Sequence, residues 1–221
     1  AGHGGIGIVR LSGRQAIKIA DRIFLAKSGK KLSVCRTHTM HYGKVARKKN
    51  GEMIDEAIAS VMLAPKTFTK EDTVEISCHG GPCVLENVLR EAVSAGARLA
   101  EPGEFTKRAF LNGRIDLPQA EAVADVINAK TEASLRVALS HLEGGFSKEV
   151  KALRTKIIGV LAEIEADIDF SEEDLDLPQR SRLLGSVKNT AQKLEEILGT
   201  AGLGISLRDG VSCVICGKPN V

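Results

Sequence analysis

The feature that most constrains this chain is a change of period close to Asp116. Before it, apolar residues alternate in short runs; after it, they recur every three or four residues over long stretches. A period of two builds half-buried strands and a period of 3.6 builds amphipathic helices. The chain therefore reads as an α+β segment, a mixed sheet with helices, followed by an all-α helical bundle. In the first segment Gly5–Leu11 reads as a strand with Ile6, Ile8 and Arg10 on one face. Gln15–Lys27 follows with helical spacing, Ile19, Ile23 and Ala26 on one side. Thr37–Ala46 and Ile54–Leu63 read as a hairpin turning at Lys49-Asn50-Gly51, because Asn-Gly accepts the left-handed backbone of hairpin turns. Thr73–Cys78 is a further strand. Gly80-Gly81-Pro82 ends it and opens a helix to Ser94, with Gly96 just beyond.

The second segment opens on helix-start signals: Asp116 as cap, Pro118 in the first turn and Gln119 three residues after the cap. One helical period runs to Leu142, and Gly144-Gly145 interrupts it. Ser147–Asp169 carries Val150, Leu153, Ile157, Val160, Ile164 and Ile168 close to a 3–4 spacing. Pro178–Leu198 repeats it with Leu184, Val187, Ala191, Leu194 and Leu198. Three long helices are expected, their stripes forming a packing core. Val211–Cys216 reads as a buried strand. It leads into Gly217-Lys218-Pro219-Asn220-Val221, the first five positions of a phosphate-binding loop. The start without Met and the interrupted loop suggest a piece of a longer protein, divided at 1–115, 116–208 and 209–221. With the loop and its following helix incomplete, this piece is not expected to hydrolyse a nucleotide.

Composition narrows the function. No apolar run reaches the length of a membrane span. Trp is absent and aromatics make up 3% of the chain, which leaves few stacking platforms for single-stranded nucleic acid. Five scattered Cys suit a reducing compartment. Residues 1–115 hold 19 Lys/Arg against 11 Asp/Glu, and the remainder 12 against 17. The basic first segment suits an anionic ligand or an RNA backbone, or is an ordinary solvated surface. Metal readings fail in turn. Cys78 to Cys83 lacks a second donor cluster, Cys213 and Cys216 fall on opposite faces of a strand, and Asp167–Asp174 has Glu172 where a calcium loop needs Gly.

Three polar residues stand out. Glu75 lies mid-strand, opposite in face to Val74 and Ile76. Its carboxylate suits two parallel hydrogen bonds from a planar N–H pair, or a plain surface pairing with a Lys. Arg10 ends an otherwise apolar strand face, so its head leaves that surface or meets an anion. Arg114 follows the Asn112-Gly113 turn and projects from a loop.

Gly4–Gly13, Cys78-His79-Gly80-Gly81-Pro82 and, most specifically, Glu101–Leu117 with Gln119-Ala120-Glu121-Ala122 resemble the tRNA modification GTPase family MnmE (TrmE). The ending Gly217–Val221 looks like that family's phosphate-loop start. The resemblance covers essentially the whole chain and implies three parts. They are a folate-binding, dimerising α+β domain like that of aminomethyltransferases, a helical domain, and an inserted Ras-like G domain. It implies a tetrahydrofolate derivative (5-formyl or 5,10-methylene) held by Arg10, Glu75 and Arg114. It also implies GTP, magnesium and potassium, with Asn220 contacting nucleotide and potassium. The implied partners are a second copy, the flavoprotein MnmG and tRNA modified at C5 of the wobble uridine, in a bacterial cytoplasm or an organelle. Arg114 stands where Lys is frequent, and its planar fork differs from an ammonium; His3 stands where Arg is common. The rival readings are a stand-alone folate-dependent one-carbon transferase and a non-catalytic scaffold.

Overall fold

The structure, a computed structural model, describes residues 4–169, 177–209, 214, 216 and 217. The chain divides into two compact units, Ala1–Ile115 and Asp116–Val221.

In the first unit five strands form one sheet: β1 (Ile6–Ser12), β2 (Phe24–Ala26), β3 (Thr39–Ala46), β4 (Met53–Met62) and β5 (Thr73–His79). Their order is β1-β5-β4-β3-β2, and every neighbouring pair is antiparallel. The expected mixed sheet is thus an antiparallel one. Parallel neighbours need a helical crossover. Here α1 (Ala16–Ile23) carries the chain from β1 to β2 at the opposite edge, while β2–β3, β3–β4 and β4–β5 are joined without an α-helix. The helix expected over Gln15–Lys27 also stops early, and Phe24–Ala26 pairs with β3 instead. Phe24 is buried there, and pairing satisfies the β3 backbone that a longer helix would leave bare.

Alternation sorts the side chains. Val9 and Leu11 of β1, Val45 of β3, Ala57, Ala59 and Val61 of β4, and Val74 and Ile76 of β5 turn to one face. Ile19, Ala20 and Ile23 of α1 and Val88 and Ala92 of α2 (Pro82–Ser94) join that same core. Each such Val or Ile contributes about 1.5–3 kcal/mol by leaving water. The opposite face carries Ile6, Ile8, Arg10, Met40, Tyr42, Ile58 and Glu75, and its apolar members are exposed. A third helix, α3 (Glu104–Leu111), lies in the stretch that the sequence marked only by family resemblance.

The second unit is helical: α4 (Leu117–Asn128), α5 (Glu132–Leu142), α6 (Gly145–Asp169) and α7 (Leu177–Asp209). Asp116 forms the expected capping box with Gln119. The single helix expected up to Leu142 is two. Thr131 starts a second capping box with Ser134, and the Gln119 side-chain amide donates to the Leu142 carbonyl at 2.8 Å, closing a helical hairpin. Burial would raise the Asp116 carboxyl, but the Ser147 hydroxyl, the Gln119 N–H and the Lys151 ammonium outweigh it and hold the group below its ordinary range.

The stripes of α6 and α7 are only partly core, which corrects the expectation. Leu153 of α6 and Leu183 and Thr190 of α7 are buried, whereas Ile157, Ile168, Leu184 and Leu198 stay more than half exposed. Two helices bury only the side chains facing each other, so stripes this wide need further partners. The readings of Val211–Cys216, the Asp167–Asp174 run, the phosphate loop and Asn220 fall wholly or largely outside the described residues.

Candidate ligand site on the open sheet face

Register places the first two candidates together. β1 and β5 pair so that Arg10 lies directly opposite Glu75. Their neighbours Val9, Leu11, Val74 and Ile76 occupy the core face, so period-two geometry sends both polar side chains to the open face. The Arg10 Nε–H donates to Glu75 Oε1 at 2.6 Å. Glu75 thus pairs with an arginine across the ladder, not with a Lys, and Arg10 meets an anion rather than leaving the surface. The side chains remain 45% and 25% exposed, so the pair is open to solvent and to a ligand. Each carboxylate oxygen carries two lone pairs. One Arg10 donor therefore leaves Oε2 and part of Oε1 to accept, and no other hydrogen bond reaches this carboxylate among the described residues.

Above the pair stands Phe105 of α3, its ring centroid 5.6 Å from the Arg10 guanidinium carbon. Phe105 is held there by an ion-pair cluster around its neighbour Glu104. Glu104 accepts from Arg98, from the Glu101 N–H at 2.9 Å and from Arg108 Nε at 2.9 Å. Arg98 first, then the Glu101 N–H and Arg108, pull the Glu104 carboxyl from 4.5 down to about 2. Arg108 also grips Glu71 at 2.9 and 3.0 Å, and Glu71 accepts from the Ser12 hydroxyl at the end of β1. α3 is thereby fastened to the strand that carries Arg10. A cleft of about 300 Å³ beside α3 is lined by Glu71, Arg98, Glu101, Glu104, Lys107 and Arg108 among others. Its charges neutralise one another, and Arg10, Glu75 and Arg114 do not line it, so it is an anchor rather than the site.

Arg114 is placed separately. Asn112 ends α3 and donates to the Thr69 carbonyl at 2.6 Å, and Lys70 donates to the Gly113 carbonyl at 3.0 Å. Gly113 adopts φ +65, a left-handed backbone that side chains resist. The turn delivers the Arg114 guanidinium to the Phe68 ring, 4.8 Å from its centroid. No hydrogen bond or ion pair joins Arg114 to Arg10 or Glu75 among the described residues. Sequence reasoning missed Phe68, Phe105 and the Glu71–Arg108–Glu104 chain. Phe105 carried a signal, inside the most specific stretch; Phe68, in the loop after β4, carried none.

An antiparallel sheet covered on one face, with a polar pair on its open face, and a following run of amphipathic helices define a two-unit α+β-then-helical protein. Comparison with known proteins gives the class. The model described as GTP-binding protein TrmE N-terminus matches residues 1–114, and the one described as MnmE helical domain matches residues 117–212. The chain belongs to the MnmE (TrmE) family. It is 52% identical over 221 residues to the tRNA modification GTPase MnmE of Geobacillus kaustophilus. To the proteins of that name from Acetivibrio thermocellus and Bacillus subtilis it is 50% identical over 220 and 222 residues. Each alignment takes in 100% of this chain and 48% of the relative, so the chain spans about half the length of the curated relatives it matches. No helix among the described residues is long and apolar enough to cross a membrane.

Proposed function

We propose that this chain is the folate-binding and first helical part of a GTP hydrolase that modifies C5 of the wobble uridine in tRNA, with the flavoprotein MnmG as partner. In this reading residues 1–115 bind a tetrahydrofolate derivative, 5-formyl or 5,10-methylene, and associate as a homodimer. Residues 116–208 begin the helical domain. Residues 209–221 begin a Ras-like G domain in which Asn220 contacts GTP and potassium, with magnesium in the complete site. The whole protein acts in a bacterial cytoplasm or an organelle.

The observation that supports this reading best is the Arg10–Glu75 pair on the open sheet face. A pterin presents adjacent N–H donors along one edge, and the unclaimed lone pairs of Glu75 suit that edge. Arg10 offers its remaining N–H donors beside it. Arg114, stacked on Phe68, suits the anionic glutamate end of the same molecule. When bound, the folate supplies the one-carbon unit; these residues orient it. The exposed Ile6 and Ile8 at the β1 end of that face suit burial against a second copy, and the half-exposed stripes of α6 and α7 suit burial by later helices of the complete protein. A stand-alone transferase has no use for those helices. Calorimetric titration of the folded protein with 5-formyltetrahydrofolate tests the ligand, and sedimentation tests the dimer. Saturable binding by a dimer is expected; a folded sample that takes up no folate removes the assignment.

A further inference from the structure

The positive charge of the first unit is concentrated in one place. Residues 22–51 contain nine Lys or Arg, two His and no Asp or Glu, whereas the rest of residues 1–115 holds ten Lys/Arg against eleven Asp/Glu. This acid-free run folds as the end of α1, β2, a 3₁₀ turn at Leu32–Val34, β3 and the turn beyond it, and so forms one edge of the sheet. Two of its cations are engaged: Arg22 donates to the Ala95 carbonyl and Arg47 pairs with Glu52. Lys27, Lys30, Lys31, Arg36 and Lys44 are exposed and make no ion pair among the described residues.

The nearby acids are occupied. The Asp21 carboxylate accepts the Leu32 and Ser33 N–H groups at 2.5 and 3.3 Å, and Asp55 accepts the His79 N–H and faces its ring. Glu56, opposite Lys44 in register, remains the one acid facing β3 from its neighbour strand among the residues paired there on this face. Lys27 extends the β2 line, its N–H bonding the Tyr42 carbonyl and its ammonium 5.6 Å from the Tyr42 ring. Lys44 lies two residues further along β3 on the same face, about 7 Å away along the strand. Tyr42, half exposed between them, offers an aromatic surface beside the cations. Lysines on an edge strand also discourage unwanted sheet pairing, but a three-residue β2 is already a poor template and needs no such run.

We propose that this β2–β3 edge, with Lys27, Lys30, Lys31 and Lys44 at its centre, docks the sugar–phosphate backbone of an RNA. Unpaired cations on a rigid edge are the footprint of phosphate contacts, which position a nucleic acid without reading its bases. A membrane surface is disfavoured because the cations sit on strands and turns, not on an amphipathic helix. That the RNA is a tRNA rests on the proposed function; the charge pattern does not.

The test is fluorescence anisotropy of a labelled tRNA with the full-length protein, without folate, from 50 to 200 mM KCl. Parent is compared with a Lys27→Gln/Lys30→Gln/Lys31→Gln/Lys44→Gln variant and with the corresponding fourfold Lys→Arg variant. The Gln variant is expected to bind at least tenfold more weakly at the lowest salt. Its slope of log affinity on log salt is expected to be shallower by about 3, and the Arg variant to keep the parent slope. Folate titration of the same samples reports separately on the ligand site and is expected to be unchanged by the Gln substitutions. Equal affinity and slope for parent and Gln variant would overturn the proposal. Tighter binding of polyglutamate than of the tRNA at matched charge and salt would overturn it in favour of an acidic protein partner.

Discussion

Arg10 and Glu75 meet because two strands 65 residues apart in sequence pair in one register. A slip of one residue in either strand would send its charged side chain to the core face and part the pair, leaving an unpaired charge where burial is costly. The pair is open to solvent, so it adds little to stability; its value lies in a fixed acceptor with spare lone pairs. Glu104 is the opposite case: Arg98 first, then the Glu101 N–H and Arg108, favour its ionised form and outweigh the opposing effect of burial. Its carboxyl falls from 4.5 to about 2, so its stabilisation is fully present above about pH 4.5 and is lost as the pH drops toward 2. Urea unfolding across that window is expected to show a shallower loss of stability for Glu104→Gln than for the parent; parallel curves would show that the cluster does not act this way. At this scale the sequence was legible in part. It marked Arg10, Glu75 and Arg114 singly, because alternation and turn residues are local. It could not join Arg10 to Glu75 or find Phe68, because strand order and register are set by long-range packing.

Elements follow their local signals where those signals act alone. Asp116 with Gln119, Pro82 opening α2 and the β3–β4 turn at Gly51 all form as read, since caps and turns depend on a few adjacent residues. Asp116→Ala removes the cap of α4 and the partner of Ser147 and Lys151, and is expected to cost about 0.5–2 kcal/mol. Thermal unfolding followed by circular dichroism measures it, and an unchanged midpoint would contradict the role. The misread elements share a cause. Phe24–Ala26 leaves helix for strand because β3 offers a partner, and the break before Thr131 appears because α4 and α5 fold back on each other. Periodicity reports which face is apolar, not where a neighbour interrupts it.

At the scale of the whole molecule, the first unit is a sheet with one face buried in its core and the other open to solvent, the face on which the proposed ligand would sit. Ile76 lies fully buried at the centre of the first face. Ile76→Ala is expected to cost about 2–5 kcal/mol in denaturant unfolding. Glu75→Ala, next to it on β5 but pointing to the open face, is expected to leave the unfolding midpoint nearly unmoved. It should nevertheless weaken folate binding by about 1–3 kcal/mol, the cost of leaving polar groups unpaired. The α+β-then-helical order was legible from the change of period, whereas the antiparallel topology was not, because alternation alone does not say which strands are neighbours. The central claim is that the open face holds a pterin against Glu75. A crystal structure with bound 5-formyltetrahydrofolate tests it most directly. The account predicts pterin nitrogens within hydrogen-bonding distance of the Glu75 carboxylate, with Arg10 alongside; a folate bound away from β1 and β5 would contradict it.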